Sequence, residues 1–283
     1  MSGKSKAWLV YNGASGSHEE GKESRLVEAL SAAGLEVDRA IDCHQATVPD
    51  AAEATRLGLT HVVVHGGDGT INSTISGLEG WDGAVLSLPG GTANLLCHRL
   101  FDECDAFGII ERFGAGELVP RRITCVRGRE TLALSELLAG PGARWADVRE
   151  EMRDFHVGEM VAKSVDAASE STSGPMVRLA DPDLGKTEGY AGVRLSPFPD
   201  GMAVQGFGTD GLAEFLQQGI AILLRDFREG PHDELGRVDA VTCVSTEGAS
   251  IPLMADGERI DGADCERFEL AELDVDLLGP ADG

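Results

Sequence analysis

Residues 61–78 read HVVVHGGDGTINSTISGL, and the junction inside this stretch decides the fold. The β-branched run from His61 to His65 predicts a buried strand. Beyond the glycines, Ile71, Ile75 and Leu78 recur at i, i+4 and i+7, the spacing of one helix face. A D-G pair alone signals a hairpin turn. A hairpin needs a second alternating strand, and here a helical pattern follows. Gly66-Gly67-Asp68-Gly69-Thr70 therefore reads as a strand-to-helix loop. Glycines at such a junction let backbone N–H groups approach an anion closely. Asp68 would repel a phosphate unless it faces a magnesium ion or the water shell of one.

The same pattern extends to both sides. Ala7 to Tyr11 predicts a strand, followed by the loop Asn12-Gly13-Ala14-Ser15-Gly16. Ser17 and Glu20 form a capping-box pattern, and Leu26, Ala29, Leu30 and Ala33 carry helical spacing up to Gly34. Leu35 to Asp38 predicts a short strand, and Pro49 opens a helix that ends at Gly58. Ala84 to Leu88 predicts a further strand, then the loop Pro89-Gly90-Gly91-Thr92, then a helix over about Ala93 to Leu100. Thr92 and Asn94 suit the start of that helix. Strand, loop and helix in repetition predict a parallel sheet with crossover helices. Ligands of such sheets bind off the carboxyl ends of the strands. The loops at 12–16, 66–70 and 89–92 all leave strands at that edge. From there Asn12, Ser15 and Gly16 can reach a nucleotide.

After about residue 121 short alternating strands dominate, such as Val238 to Val244 and Leu273 to Leu277, between Gly, Pro and Asp turns. The expected division is an α/β domain over 1–121 and a β-rich antiparallel domain over 122–283. Two segments in the second part predict helices, about Trp145 to Phe155 and Leu212 to Phe227. The apolar residues of the latter suit core packing better than a lipid interface. Residues 167–174, AASESTSG, read as a surface loop.

Composition narrows the function. The net charge of −24 argues against nucleic acid as a partner and against a polybasic membrane anchor. The six cysteines form no C-x-x-C pair and suit a reducing cytoplasm. No apolar run approaches the ~20 residues of a membrane-spanning helix. Residues 16–22 match G-x-x-x-x-G-K, but Glu23 follows where a phosphate loop needs Ser or Thr, and Glu19 and Glu20 would put negative charge into the cradle. No G-x-S-x-G elbow is present. His61 and His65 flank a buried strand and read as packing residues.

Three motifs in one order, YNGASG at 11–16, GGDGT at 66–70 and PGGTANLL at 89–96, resemble the diacylglycerol kinase catalytic domain. That family includes diacylglycerol, sphingosine, ceramide and bacterial lipid kinases. Asp256-Gly257-Glu258 is similar to its D-G-E motif. GGDG alone is shared with NAD kinases and phosphofructokinases, and PGGTAN favours the lipid kinases. The resemblance implies a Rossmann-like α/β nucleotide-binding domain of the phosphofructokinase and NAD-kinase kind, an antiparallel β-sandwich, and an active site in the interdomain cleft. It implies that Asn12, Gly67, Thr70, Thr92 and Asn94 line an ATP site, where Gly66, Gly69 and Gly91 add backbone room. Asp68 would organise magnesium at the phosphates, and Glu258 would act as general base. The expected activity is transfer of the γ-phosphate of ATP to a lipid alcohol, diacylglycerol-like or sphingoid. The expected setting is the cytoplasm with transient contact to a membrane surface. Alternatives are an NAD-kinase-like enzyme and a degenerate nucleotide- or lipid-binding protein. The chain departs from the family at two places. Gly13 stands where the family usually has proline. Ala139 to Asp147 reads AGPGARWAD in place of G-x-G-x-D, with two extra residues before Asp147, so either Asp147 is the counterpart of that aspartate or the pocket is remodelled.

Overall fold

Aliphatic and β-branched runs become strands, and the 3.6-residue stripes between them become helices. The computed structural model describes residues 5–13, 21–102, 105–144, 175–208 and 232–281. Two units divide the chain: residues 1–123 with 272–283, and residues 124–271.

The first unit contains β1 (Ser5–Tyr11), α1 (Lys22–Ala32), β2 (Leu35–Asp42), α2 (Ala51–Leu57), β3 (His61–Gly66), α3 (Asp68–Gly77), β4 (Ala84–Pro89), α4 (Leu95–Phe101), α5 (Ala106–Gly114) and β5 (Leu118–Arg121). β1, β3 and β4 are central. Ala7, Leu9, Val10, Val62, Val63, Val64, Val85 and Leu86 bury their side chains almost completely, as expected for parallel strands covered on both faces. Ile71, Ile75 and Leu78 are also buried. Removing one, as in Ile75→Ala, costs roughly 2–5 kcal/mol. α2 is delimited by its own residues: Asp50 accepts the Glu53 N–H at 2.8 Å, and Gly58 ends the helix at φ 65°. The sequence reading passes over α5, which Asp105 caps by accepting the N–H groups of Phe107 and Gly108.

The second unit holds β6 (Thr124–Arg127), β7 (Leu132–Ala133), β8 (Leu137–Ala139), β9 (Val177–Asp181), β10 (Asp183–Leu184), β11 (Gly192–Phe198), β12 (Gly201–Phe207), β13 (Asp233–Val238), β14 (Ala240–Ser245), β15 (Pro252–Ala255), β16 (Glu258–Asp261) and β17 (Cys265–Glu272). They form two antiparallel sheets, β10-β9-β14-β17-β6-β7 and β13-β12-β11-β8-β15-β16. Both contribute to one core, with Val126, Leu179, Val241 and Phe268 from one sheet and Leu137, Val193, Val204 and Leu253 from the other. This is the expected sandwich. The stretch expected as one strand over Val238–Val244 is interrupted at Asp239, where β13 and β14 change sheets. The helices expected at Trp145–Phe155 and Leu212–Phe227, and the loop at 167–174, lie outside the described residues.

The last strand, β18 (Asp276–Pro280), departs from the expected division at residue 121. It belongs to the first unit, where the sheet order is β2-β1-β3-β4-β18-β5. It pairs parallel to β4 and antiparallel to β5. Alternation within the segment gives its strand character but not its sheet. The vacant edge of β4 decides that.

Candidate functional site

Register brings the strand ends of the first unit into line. Tyr11 is opposite Asp42 on one side and His65 on the other, His65 is opposite Leu88, and Gly66 is opposite Pro89. The chain therefore leaves β1, β2, β3 and β4 at one edge of the sheet, the carboxyl edge.

At that edge the second and third loops pack backbone to backbone. Gly90 donates its N–H to the Gly66 carbonyl at 2.9 Å. A Cβ at Gly91 would lie 2.6 Å from Gly67 Cα, and one at Gly90 would lie 2.9 Å from the His65 ring and 3.0 Å from Gly66 Cα. A Cβ at Gly66 would meet Thr70 Cβ at 2.8 Å. Three of these glycines are thus required by the protein's own packing. Gly67 differs: its φ of −77° suits any residue, and the nearest described atom to a Cβ there is Gly91 Cα at 3.6 Å. Gly67 is the N-cap of α3, so a glycine that packing does not require stands at a helix N-terminus.

Asp68 and Asn94 tie these loops together in a way that spacing does not reveal. Asp68, the first residue of α3, accepts the Leu95 N–H at 2.6 Å. Leu95 is the first residue of α4, so one carboxylate stands at two helix N-termini, where negative charge is favoured. Asn94 precedes α4 in the left-handed conformation, φ 48°, and makes no side-chain cap. Its amide instead accepts from Gly91 N–H at 2.8 Å and donates to the Gly91 carbonyl at 2.9 Å. The expected capping residue holds its own loop, and the cap comes from an aspartate in the neighbouring loop. Beside this loop lies a cavity of about 530 Å³ lined in part by Lys22, Pro89, Asn94, His98 and Phe107.

The first loop joins through Thr70. Asn12 donates its amide to Thr70 Oγ1 at 3.4 Å, and the Cys43 thiol lies near the same side chain. Burial pushes the Cys43 thiol up, and the nearby Asp42 charge adds to this. Asp42, at the end of β2, accepts from Gly13 N–H at 3.3 Å, from His44 N–H at 3.1 Å and from the Gln45 amide at 2.7 Å. Partial desolvation pushes its carboxyl up, but these donors outweigh it and hold the group below its ordinary range. Sequence reasoning missed Asp42 and Cys43. The available signal was an acidic residue closing the second strand at the edge where ligands bind.

In the second unit the D-G-E segment is a hairpin. β15 and β16 pair with Ala255 opposite Glu258. Asp256 (φ 47°) and Gly257 (φ 88°) make the two-residue turn, with the positive φ values of a type I′ turn. Glu258 is exposed at the first position of β16, and Asp256 is 3% exposed.

Residues 6–123 match the diacylglycerol kinase catalytic domain. The likeness read from the three N-terminal motifs is thereby shown over these residues. Similar folds occur in solved structures. A putative diacylglycerol kinase from Bacillus anthracis str. Sterne shares 14% identity over 98% of each chain, with a TM-score of 0.63. A diacylglycerol kinase from the same organism shares 12% identity over 98% of each chain, with a TM-score of 0.60. No curated protein matches the chain.

Within the matched residues, Asn12, Gly66, Gly67, Asp68, Thr70, Gly91 and Asn94 come together at one sheet edge. Gly69 lies in the first turn of α3, and Thr92 is exposed in the third loop. Ser15, Gly16 and Asp147 lie outside the described residues. The glycine at 13 has a local reason. A Cβ there would lie 2.6 Å from Asp42 Oδ2, and the Gly13 N–H that Asp42 accepts is one a proline lacks. Among the described residues no group of three or more His, Cys, Asp and Glu is set to hold a metal, and no helix is long and apolar enough to cross a membrane.

Proposed function

We propose that the protein is an ATP- and magnesium-dependent kinase that transfers the γ-phosphate to the hydroxyl of a lipid, diacylglycerol-like or sphingoid. The observation that carries this reading is that Gly67, at the start of α3 and beside Asp68, is a glycine that packing does not require, within residues matched to the diacylglycerol kinase catalytic domain. Gly66, Gly90 and Gly91 are used up by packing. Gly67 is spared by packing and stands at the start of α3, where a helix presents N–H groups to an anion.

In this reading the N–H groups from Gly67 to Thr70 bind the phosphate chain, with Gly91 and Thr92 facing it from the third loop. Asn12 and Asn94 keep the loops in register. A sparse donor set fits magnesium, which commonly takes one or two carboxylates and completes its shell with phosphate oxygens and water. Asp68 would hold the ion. When bound, the ion supplies charge neutralisation at the phosphates. Glu258 accepts the proton of the attacking hydroxyl, and its exposure lets substrate reach it. The protein acts in the cytoplasm and meets a membrane surface transiently to take its substrate.

The test is transfer of radiolabelled phosphate from ATP, with magnesium, to diacylglycerol, sphingosine, ceramide and NAD. One lipid should be labelled. Glu258→Gln should lose about 10²–10⁴-fold in kcat, the usual worth of a general base. Asp68→Asn keeps an acceptor for Leu95 and loses the charge, so it should lose activity while staying folded. Label in NAD alone would favour a soluble-substrate kinase, and ATP binding without transfer to any of the four would favour a binding protein.

A further inference from the structure

Asp256 is an aspartate of the D-G-E segment with an environment unlike that of Glu258. Its carboxylate is buried, and a buried charge is expensive unless donors surround it. Three backbone N–H groups do so. Leu134 donates at 2.6 Å to one oxygen, and Ser135 at 2.8 Å and Glu136 at 2.9 Å donate to the other. The Asp256 N–H in turn donates to the Glu136 carbonyl at 3.0 Å. Four hydrogen bonds thus join the tip of the β15–β16 hairpin to the three residues that precede β8.

The far side of this clamp is itself anchored. β8 pairs with both β15 and β11, so residues 134–136 run directly into the middle of a six-stranded sheet. The Glu136 carboxylate lies 4.0 Å from the Arg194 guanidinium, whose side chain is 9% exposed. Arg194 donates through Nε to Gln205 Oε1 at 2.8 Å on the adjacent strand.

The turn needs such a hold. Asp256 takes the left-handed conformation at φ 47°, which costs an L-residue roughly 1–2 kcal/mol, somewhat less for Asp. Glu258 follows two residues later on the returning strand, so any rotation of the turn moves its Cα. We infer that Asp256 is a positioning residue: by gripping the N–H groups of residues 134–136 it fixes the hairpin tip and so the direction from which the Glu258 carboxylate approaches a substrate hydroxyl. This rests on the assignment of Glu258 as general base under Proposed function. Asp256 itself touches no reacting atom.

A double-mutant cycle tests it. Wild type, Asp256→Asn, Glu258→Gln and the double variant are compared for kcat, for KM of ATP and for Tm. Asn tolerates the left-handed conformation and keeps one acceptor oxygen, so it loosens the clamp without abolishing the turn. With Glu258 present, Asp256→Asn should lower kcat by about 10- to 100-fold, the scale of a 1 Å misplacement. KM for ATP should stay within about twofold, since only the lipid side is disturbed. In the Glu258→Gln background the same substitution should cost no further activity, while its loss of Tm should be the same in both backgrounds. An equal loss of kcat in both backgrounds, or wild-type kcat in Asp256→Asn, overturns the inference and leaves the proposed function standing. Wild-type turnover in Glu258→Gln overturns the general-base assignment, and the inference with it. If Asp256→Asn does not fold, Gly257→Ala serves in its place. A Cβ at φ 88° strains the turn with the Asp256 carboxylate intact, and its effect on kcat should likewise vanish in Glu258→Gln.

Discussion

Adding one methyl group at Gly67 and at Gly91 separates a glycine that the fold needs from the one proposed to face a phosphate chain. At Gly91 the new Cβ would stand 2.6 Å from Gly67 Cα and 3.3 Å from Asn94 Oδ1. The first of these is a backbone atom, so two loops must shift. Overpacking of this kind costs about 1–3 kcal/mol. At Gly67 the nearest described atom is 3.6 Å away, an ordinary contact, and φ is −77°. Alanine is a poorer helix cap than glycine by up to about 1 kcal/mol. It recovers about 0.4–1 kcal/mol by restricting the unfolded chain, so the two effects nearly cancel. Thermal unfolding without ligand should therefore show Gly91→Ala several degrees below wild type and Gly67→Ala close to it. Calorimetry with magnesium and ATP should show the opposite weighting: Gly67→Ala, although folded, should bind at least about tenfold more weakly, a loss of ~1.4 kcal/mol. In the proposed site a methyl at this helix N-terminus would crowd the approaching phosphate chain. Wild-type ATP affinity in Gly67→Ala would refute the assignment of this loop to phosphate, and a fall in Tm equal to that of Gly91→Ala would refute the packing analysis.

Two further outcomes follow from the geometry. Gly13→Pro removes the N–H that Asp42 accepts and places a Cβ 2.6 Å from Oδ2, so it should lower Tm by a few degrees, and adding Asp42→Ser should restore most of the loss; equal Tm in the single and double variants would contradict the coupling. In alkylation followed by peptide mass spectrometry, exposed Cys265 should react first and half-buried Cys43 more slowly, whereas buried Cys97, Cys125 and Cys243 should wait for denaturation. Burial pushes the Cys243 thiol up to about 12, which leaves almost no thiolate at neutral pH, so labelling of native Cys243 at the rate of Cys265 would contradict the core assignment.

Much of the first unit was legible because its signals are local. Val62 to Val64, the stripe Ile71–Ile75–Leu78 and the stops at Gly34 and Gly58 each state a backbone preference within a few residues. Alternation of strand and helix then allows few topologies, so the convergence of three loops at one sheet edge followed from the order of elements. The D-G turn at 256–257 was equally readable, since positive φ at two successive positions favours Asp-Gly.

Other features depend on partners far away in sequence. The same dipeptide type opens a helix at Asp68-Gly69 and turns a hairpin at Asp256-Gly257, and the flanking pattern distinguishes them. That Asp68 caps a helix 27 residues on, that Asn94 grips its own loop, and that Asp42 takes the place of a side chain at Gly13 could not be read from spacing. The placement of β18 beside β4 is of the same kind. The sequence by itself determined the kinds of element, their order, and the loops that gather at one sheet edge, because backbone propensity and apolar period act over one or two turns. Only the tertiary structure decided which glycines are occupied by packing, which carboxylate is buried and which exposed, and which unit takes the last strand. Those depend on atoms brought into contact across the fold, and no local pattern encodes their distances.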